Sequence, residues 1–74
     1  MEREIIYGVF DKTTSCGSYT GFFRNEEDAQ KELKHQMNRF KEEFGTLNLE
    51  VDKDRVVHHK LKEIYFIIHP IVLR

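Results

Sequence analysis

Cysteine is nearly absent from this sequence. Cys16 is the only one among 74 residues, so the chain forms no internal disulfide. The opening residues, MEREIIYG, also lack the basic segment and apolar stretch that begin a secretory signal. We therefore expect the protein to act in the cytoplasm.

Long apolar runs are missing as well. The longest, IYFIIHPIVL, covers only residues 64–73 and contains His69 and Pro70, whereas a membrane-spanning helix needs about 20 apolar residues. We expect no membrane span. The four glycines are scattered singly, which excludes a glycine-rich phosphate loop.

The charge has no dominant sign. Twelve Lys and Arg residues stand against thirteen Asp and Glu residues, a formal net charge of -1. No overall field therefore attracts nucleic acid or anionic lipid, and binding to either would need a local patch.

The length predicts one domain over residues 1–74, because domains average roughly 150 residues. A composition of 39% hydrophobic and 34% charged residues is typical of a folded chain. Chains below roughly 80 residues often need a metal, disulfides or a partner subunit for stability. The size therefore favours oligomerisation or metal binding.

The first half of the chain predicts a hairpin followed by a helix. β-forming residues at 3–10 and 19–23 flank the polar segment DKTTSCGS, which favours a turn. Asn25 is a good N-cap, and Asp28 three positions later supplies the carboxylate of a start that resembles a capping box. Gly45 is a good C-cap. Between the caps, an apolar stripe predicts a helix with one buried face: Ala29, Leu33, Met37, Phe40 and Phe44.

The second half predicts further strands. The segment TLNLEV, residues 46–51, alternates apolar and polar side chains, and EIYFIIHPIVL suits an interior strand covered on both faces. Pairing on at least one side should stop or bulge at Pro70. Residues 55–61 fit either a strand or a helical turn, and we favour the strand. The fold class is α+β: one helix packed on a mainly antiparallel sheet in two layers, in the order β-β-α-β-(β)-β.

One helix covers one face of a sheet, so apolar residues on the other face need a second cover. Alternation along the last strand places Ile64, Phe66 and Ile68 together on one face. The residues expected on that other face form a candidate interface: Tyr65, Ile67, His69 and Ile71. A second copy of the chain is the simplest cover. The alternative is that sheet twist and long side chains suffice in a monomer.

Candidate chemistry is sparse. His58 and His59 are adjacent, and neighbours on a strand point to opposite faces, so both cannot join His69 in one metal site. Cys16 lies on the hairpin loop with only Lys12 as a cation in that loop. We expect no metal, no cofactor and no catalytic residue.

A nucleic-acid site is the alternative. The helix carries a locally basic set of side chains, diluted by glutamates: Lys31, Lys34, Arg39 and Lys41. The signature of RNA-binding sheets is not matched, although four aromatic residues on the strands could stack bases: Tyr7, Tyr19, Phe22 and Phe23.

The segments YGVFD and GFFRNEEDAQKEL resemble a recurrent opening in short uncharacterised proteins of bacteria and their phages. In those proteins a strand ending in an acidic residue precedes a loop, a strand with Gly and Phe, and an acidic helix start. The matching residues are Tyr7, Val9, Phe10, Asp11, Gly21, Phe22, Phe23, Asn25, Glu26, Glu27 and Ala29. The resemblance covers less than half of the chain and implies a small accessory or phage-encoded protein without a known activity.

These observations predict a non-enzymatic binding or regulatory module that works through protein contacts, as a homodimer or with another protein.

Overall fold

A computed structural model describes residues 4–45 and 48–73. They form β1 (Glu4–Asp11), β2 (Ser18–Phe23), α1 (Glu26–Phe44), β3 (Leu49–Asp52), β4 (Arg55–His58) and β5 (Ile64–Leu73). The strands pair antiparallel in one sheet of order β2-β1-β5-β4-β3, and α1 packs on one face. The predicted α+β class and element order are confirmed. Within the described residues, no helix has both the length and the hydropathy needed to cross a membrane.

β5 is the central strand of the sheet. It pairs with β1 over residues 66–73, from Phe66 opposite Asp11 to Leu73 opposite Glu4. Its pairing with β4 covers only residues 64–67, followed by a hydrogen bond from the Ile68 N–H to the Asp54 carbonyl of 2.8 Å.

Pro70 lies just beyond the part of β5 that β4 reaches. Alternate residues of a strand direct their backbone groups to the same side, so Pro70 lies on the same side as the Ile68 N–H. The missing N–H of Pro70 therefore faces the open side of β5. The predicted end of pairing on one side is confirmed.

The hydrophobic core lies between α1 and one face of the sheet. Its strand residues alternate along the chain, as expected when one face is covered. The buried core consists of Val9, Ala29, Leu33, Leu49, Val56, Phe66 and Ile68. Met37 and Phe40 pack against this core, which confirms the predicted stripe up to Phe40. Phe44 differs, because it is exposed and its ring contacts Phe40 at a centroid distance of 4.6 Å.

The two ends of α1 differ in how well their caps were predicted. At the C-terminus, Gly45 has a φ of 66° and donates its N–H to the Lys41 carbonyl at 2.8 Å, as expected of a left-handed cap. At the N-terminus, Asn25 has the predicted position, but its side chain makes no cap hydrogen bond. Its Nδ2 atom instead donates to Oδ2 of Asp28 at 3.4 Å. The side-chain part of the N-cap prediction is wrong.

The ambiguous segment 55–61 is a strand followed by a turn. The strand β4 ends at His58, whose Nδ1 accepts the backbone N–H groups of Lys60 at 3.2 Å and Leu61 at 3.1 Å. Lys62 then adopts a positive φ of 59°, and the chain enters β5. Three residues assigned to strands from the sequence, Arg3, Thr46 and Leu47, lie outside the described residues.

Candidate contact surface on the sheet

The sheet face that points away from α1, here called the outer face, is apolar over β2, β1 and β5. Register and alternation place its residues, since Phe10 pairs with Ile67 and Ile6 pairs with Ile71, opposite in phase to the buried Val9 and Ile68. The apolar part of the outer face consists of Ile6, Phe10, Tyr19, Phe22, Ile67, His69 and Ile71.

Four rings at the centre of this surface form the outer aromatic cluster: Phe10, Tyr19, Phe22 and His69. The ring centroid of Tyr19 lies 4.9 Å from those of Phe10 and Phe22, and the Phe10 ring stacks on His69 at 5.4 Å. The Tyr19 hydroxyl and Nδ1 of His69 are 3.2 Å apart and share a hydrogen bond. The cluster thus joins three neighbouring strands.

A bulge in β2 creates this cluster. Val9 pairs with Gly21 and Phe10 pairs with Tyr19, so Thr20 has no partner residue in β1. The extra residue changes the phase of the alternation, which brings Tyr19 and Phe22 to the same face. Sequence alternation separates these two aromatic residues, so the sequence suggested them only as base-stacking residues and did not group them in one contact surface.

Gly8 provides the space for the Tyr19 ring. A Cβ atom at position 8 would lie 2.7 Å from Cε1 of Tyr19 and 3.2 Å from Cε1 of Phe22. Real Cβ atoms essentially never come within 3.0 Å of another atom, so a side chain at position 8 would displace the Tyr19 ring. A glycine inside a strand often marks such a close approach, so Gly8 was a sequence signal that could have located the cluster.

Tyr19 and Phe22 on the outer face of β2 are exposed, whereas Ile67 and Ile71 on β5 are half-buried. Phe22 is 56% exposed and Tyr19 is 42% exposed. The described helix lies on the opposite face, and no other described element covers this one. Large exposed apolar surfaces on soluble domains mark interaction sites.

Three of the four predicted interface residues, Ile67, His69 and Ile71, lie on the outer face. Tyr65 does not. The pairing between β4 and β5 passes from Phe66 to Ile64, so Tyr65 is a bulged residue and leaves the alternation. Its ring contacts Phe40 of α1 at a centroid distance of 5.3 Å. The prediction that Tyr65 shares a face with Ile67 is wrong for this reason.

Among the residues that the structure describes, the charged side chains of the outer face are confined to β3, β4 and the ends of the strands. Glu50 accepts a hydrogen bond at 3.4 Å from Nδ1 of His59, and Nε of Arg55 donates to the Asp54 carboxylate at 3.0 Å. At the far end of β1, Arg24 and Glu4 are 3.8 Å apart. Both signs of charge therefore border the apolar surface.

The four basic residues predicted as a nucleic-acid surface do not share one face of α1. At about 100° per residue, Lys34 and Lys41 lie about 20° apart around the helix axis, but Arg39 lies about 160° from Lys41. Lys31 lies about 60° from Lys34. Arg39 instead borders a groove of about 440 Å³ between α1 and the first hairpin, together with Gln36 and Glu43.

Asp11, which also lines this groove, is occupied within its own loop. Its Oδ1 atom accepts hydrogen bonds from the backbone N–H and the hydroxyl of Thr13. This is the arrangement of a turn residue. The Asp11 carboxylate in this groove is therefore already engaged by Thr13 of its own loop.

The histidines are dispersed over the fold. His58 is buried on the helix side, His59 is exposed in the turn after β4, His69 lies in the outer aromatic cluster and His35 is exposed on α1. Within residues 4–45 and 48–73, no three His, Cys, Asp or Glu side chains come together to hold a metal ion. Cys16 is exposed on the first hairpin loop, with the Ser15 hydroxyl 3.9 Å from its sulfur.

Comparison with protein-family models, with curated proteins and with solved structures found no match. The resemblance of the first half to short bacterial and phage proteins stays a prediction.

Proposed function

We propose that this protein is a non-enzymatic binding module of the cytoplasm that works through protein contacts, with the apolar part of the outer face as its contact surface. The observation that carries the proposal is the exposure of Tyr19 and Phe22 on the same face as Ile67 and Ile71, a face without a covering element among the described residues.

The chemistry of this surface supports a protein partner. Tyr and Phe are enriched in the cores of protein interfaces, where charged residues are depleted. The outer aromatic cluster and its aliphatic neighbours match that composition. Aromatic residues that pack against one another are also held in place before binding, which reduces the entropy cost of association.

The use of polar side chains within the fold supports a non-enzymatic role. The carboxylate of Asp11 holds its own loop and Nδ1 of His58 holds the turn after β4. Both groups thus already have hydrogen-bond partners within the fold, whereas a catalytic base must reach a proton of the substrate.

Binding of the dye bis-ANS, which fluoresces on accessible apolar surface, tests the contact surface directly. We expect the dye to bind the wild-type protein at low protein concentration, and a Phe22→Lys/Ile67→Lys variant to lose most of the signal. The control variant His35→Lys/Asn38→Lys places the same charges on the exposed face of α1, and its signal should remain. Equal dye binding by all three proteins would contradict the proposal.

The competing proposal is a nucleic-acid binder that uses Lys31, Lys34, Arg39 and Lys41. The proximity of Lys34 and Lys41 around the helix supports it, whereas the position of Arg39 beside Glu43 does not. This proposal predicts affinity for oligonucleotides that falls steeply with salt concentration. Binding at low salt that is lost in a Lys34→Ala/Lys41→Ala variant would favour it over the protein contact.

A further inference from the structure

We propose that the partner on the outer face is a second copy of this chain, packed sheet to sheet around a two-fold axis that runs parallel to β1. This inference rests on the proposed function, since it names the occupant of the same surface. It would produce a four-layer assembly with the two sheets inside and the two helices outside.

The size of the surface fits such a pair. Three strands of the length of β1 cover a flat footprint of about 400 Å², at about 3.4 Å per residue and about 4.8 Å between strands. The accessible area of projecting side chains exceeds a flat footprint. The contact thus approaches the range of specific interfaces, which begins at about 600 Å² per partner.

The pattern of side chains fits the symmetry. β2 carries a strip with the exposed rings of Tyr19 and Phe22, β5 carries a parallel strip with Ile67, His69 and Ile71, and β1 lies between the two strips. A two-fold axis parallel to β1, between the two sheets, places β2 of one copy over β5 of the other. Because such an axis keeps the height along the strands, Tyr19 of one copy packs on Ile67 of the other, since both pair with Phe10. Phe22 packs on His69, since both pair with Gly8, and each contact occurs twice in one interface.

The polar groups also fit. The charged residues Glu50, Asp52 and Arg55 lie on β3 and β4, outside the strips that the second copy would cover. These charges stay outside the contact, and Glu4 and Arg24 lie beside each other at its end with largely exposed side chains, so the contact avoids a large desolvation cost. The Tyr19 hydroxyl and Nδ1 of His69 enter the contact already hydrogen-bonded to each other.

The same distribution of charge disfavours nucleic acid on this face. Stacked bases need cations beside them for the phosphates. Arg55 is engaged by Asp54 and Arg24 lies beside Glu4, so the nearest cations of the described face already have acidic neighbours.

Pairing through the open edge of β5 is a weaker route to a dimer. Pro70 directs its missing N–H to that edge, and the Ile68 N–H is already bonded to Asp54. A second β5 would find few donors there. The sheet face, not the edge, is therefore the surface that the inference assigns to the second copy.

Sedimentation equilibrium from micromolar to millimolar concentration tests the inference. We expect a concentration-dependent dimer for the wild type. Phe22→Lys and Ile67→Lys, one in each strip, should each raise the dimer dissociation constant by at least about 30-fold, as expected for a charge in the centre of an apolar contact. The matched control His35→Lys should change it by less than about twofold.

The geometry of the dimer gives an independent readout. In a Cys16→Ser background, a spin label on Lys34→Cys reports the distance between the two helices. Layers about 10 Å thick place the two helix axes about 30 Å apart in the sheet-to-sheet dimer. A dimer with a label separation below about 20 Å would mean helix-to-helix contact and would overturn the inference.

The outcomes separate this inference from the proposed function. A wild-type monomer throughout the range, with bis-ANS still bound to the outer face, overturns the second copy and leaves another protein as the partner. A monomer whose outer face binds no dye overturns both. A dimer that both outer-face variants dissociate, with distant helices, supports both.

Discussion

Adjacent histidines after Val57 illustrate how position decides what a residue does in this fold. His58 is buried at the end of β4, and its Nδ1 accepts two backbone N–H groups of the turn that leads to β5. His59 points to solvent and contacts Glu50. The same side chain is thus a structural element at one position and a surface group at the next.

Substitution of the two histidines should therefore have unequal effects. His58→Ala leaves two turn N–H groups without their acceptor and opens space beside Tyr65, so we expect a loss of about 2–3 kcal/mol in the free energy of unfolding. His59→Ala is the matched control and should cost less than about 0.5 kcal/mol. Urea denaturation of both variants measures the difference. Similar losses would contradict the structural role of His58.

Gly8 is the second residue whose position is decisive, because the Tyr19 ring occupies the space of its missing side chain. Gly8→Ala should displace that ring and separate the Tyr19 hydroxyl from His69, at a cost of about 1 kcal/mol in unfolding free energy. The ring proton shifts of Tyr19 and His69 should both change. Gly21→Ala, whose new Cβ would approach Phe23, should leave those shifts in place. Unchanged Tyr19 and His69 shifts in Gly8→Ala would show that the ring does not depend on Gly8.

At the scale of elements, the helix was predictable from local signals and the faces of two strands were not. Helix bounds follow from Asn25, the acidic first turn and Gly45, all within a few residues of the ends they define. The bulges at Thr20 and Tyr65 depend on pairing with strands that are distant in the sequence. The alternation of side chains along the sequence does not indicate them. The candidate surface was therefore only partly predictable: Ile67, His69 and Ile71 were identified, Tyr65 was misplaced, and Tyr19 and Phe22 were not assigned to it.

The N-terminus of α1 provides a prediction at the same scale. An N-cap side chain that accepts a backbone N–H contributes about 1 kcal/mol, but the Asn25 side chain donates to Asp28 instead. We expect Asn25→Ala to change the unfolding free energy by less than about 0.5 kcal/mol. Gly45→Ala, which forces a non-glycine residue to a φ of 66°, should cost about 1 kcal/mol and is the comparison. Thermal unfolding gives both values, and a larger loss at Asn25 than at Gly45 would contradict the cap geometry.

At the scale of the whole molecule, one helix and five strands enclose a small core and leave one sheet face open among the described residues. A domain of this size gains little stability from its core alone. Covering the outer face with a second copy would bury apolar surface on both chains and would link stability to protein concentration. The thermal midpoint of the wild type should therefore rise with concentration, and that of Phe22→Lys should not.

Methyl NMR of isoleucine-labelled protein over a range of concentrations tests this account most directly, because neighbouring isoleucines on β5 report on opposite faces. In the presence of a soluble paramagnetic probe, the account predicts that Ile67 and Ile71 shift and become protected as the concentration rises. Ile68, which packs in the core under α1, is the internal control and should not change. Methyl signals of Ile67 and Ile71 that stay accessible and constant up to millimolar concentration would contradict the sheet-to-sheet contact.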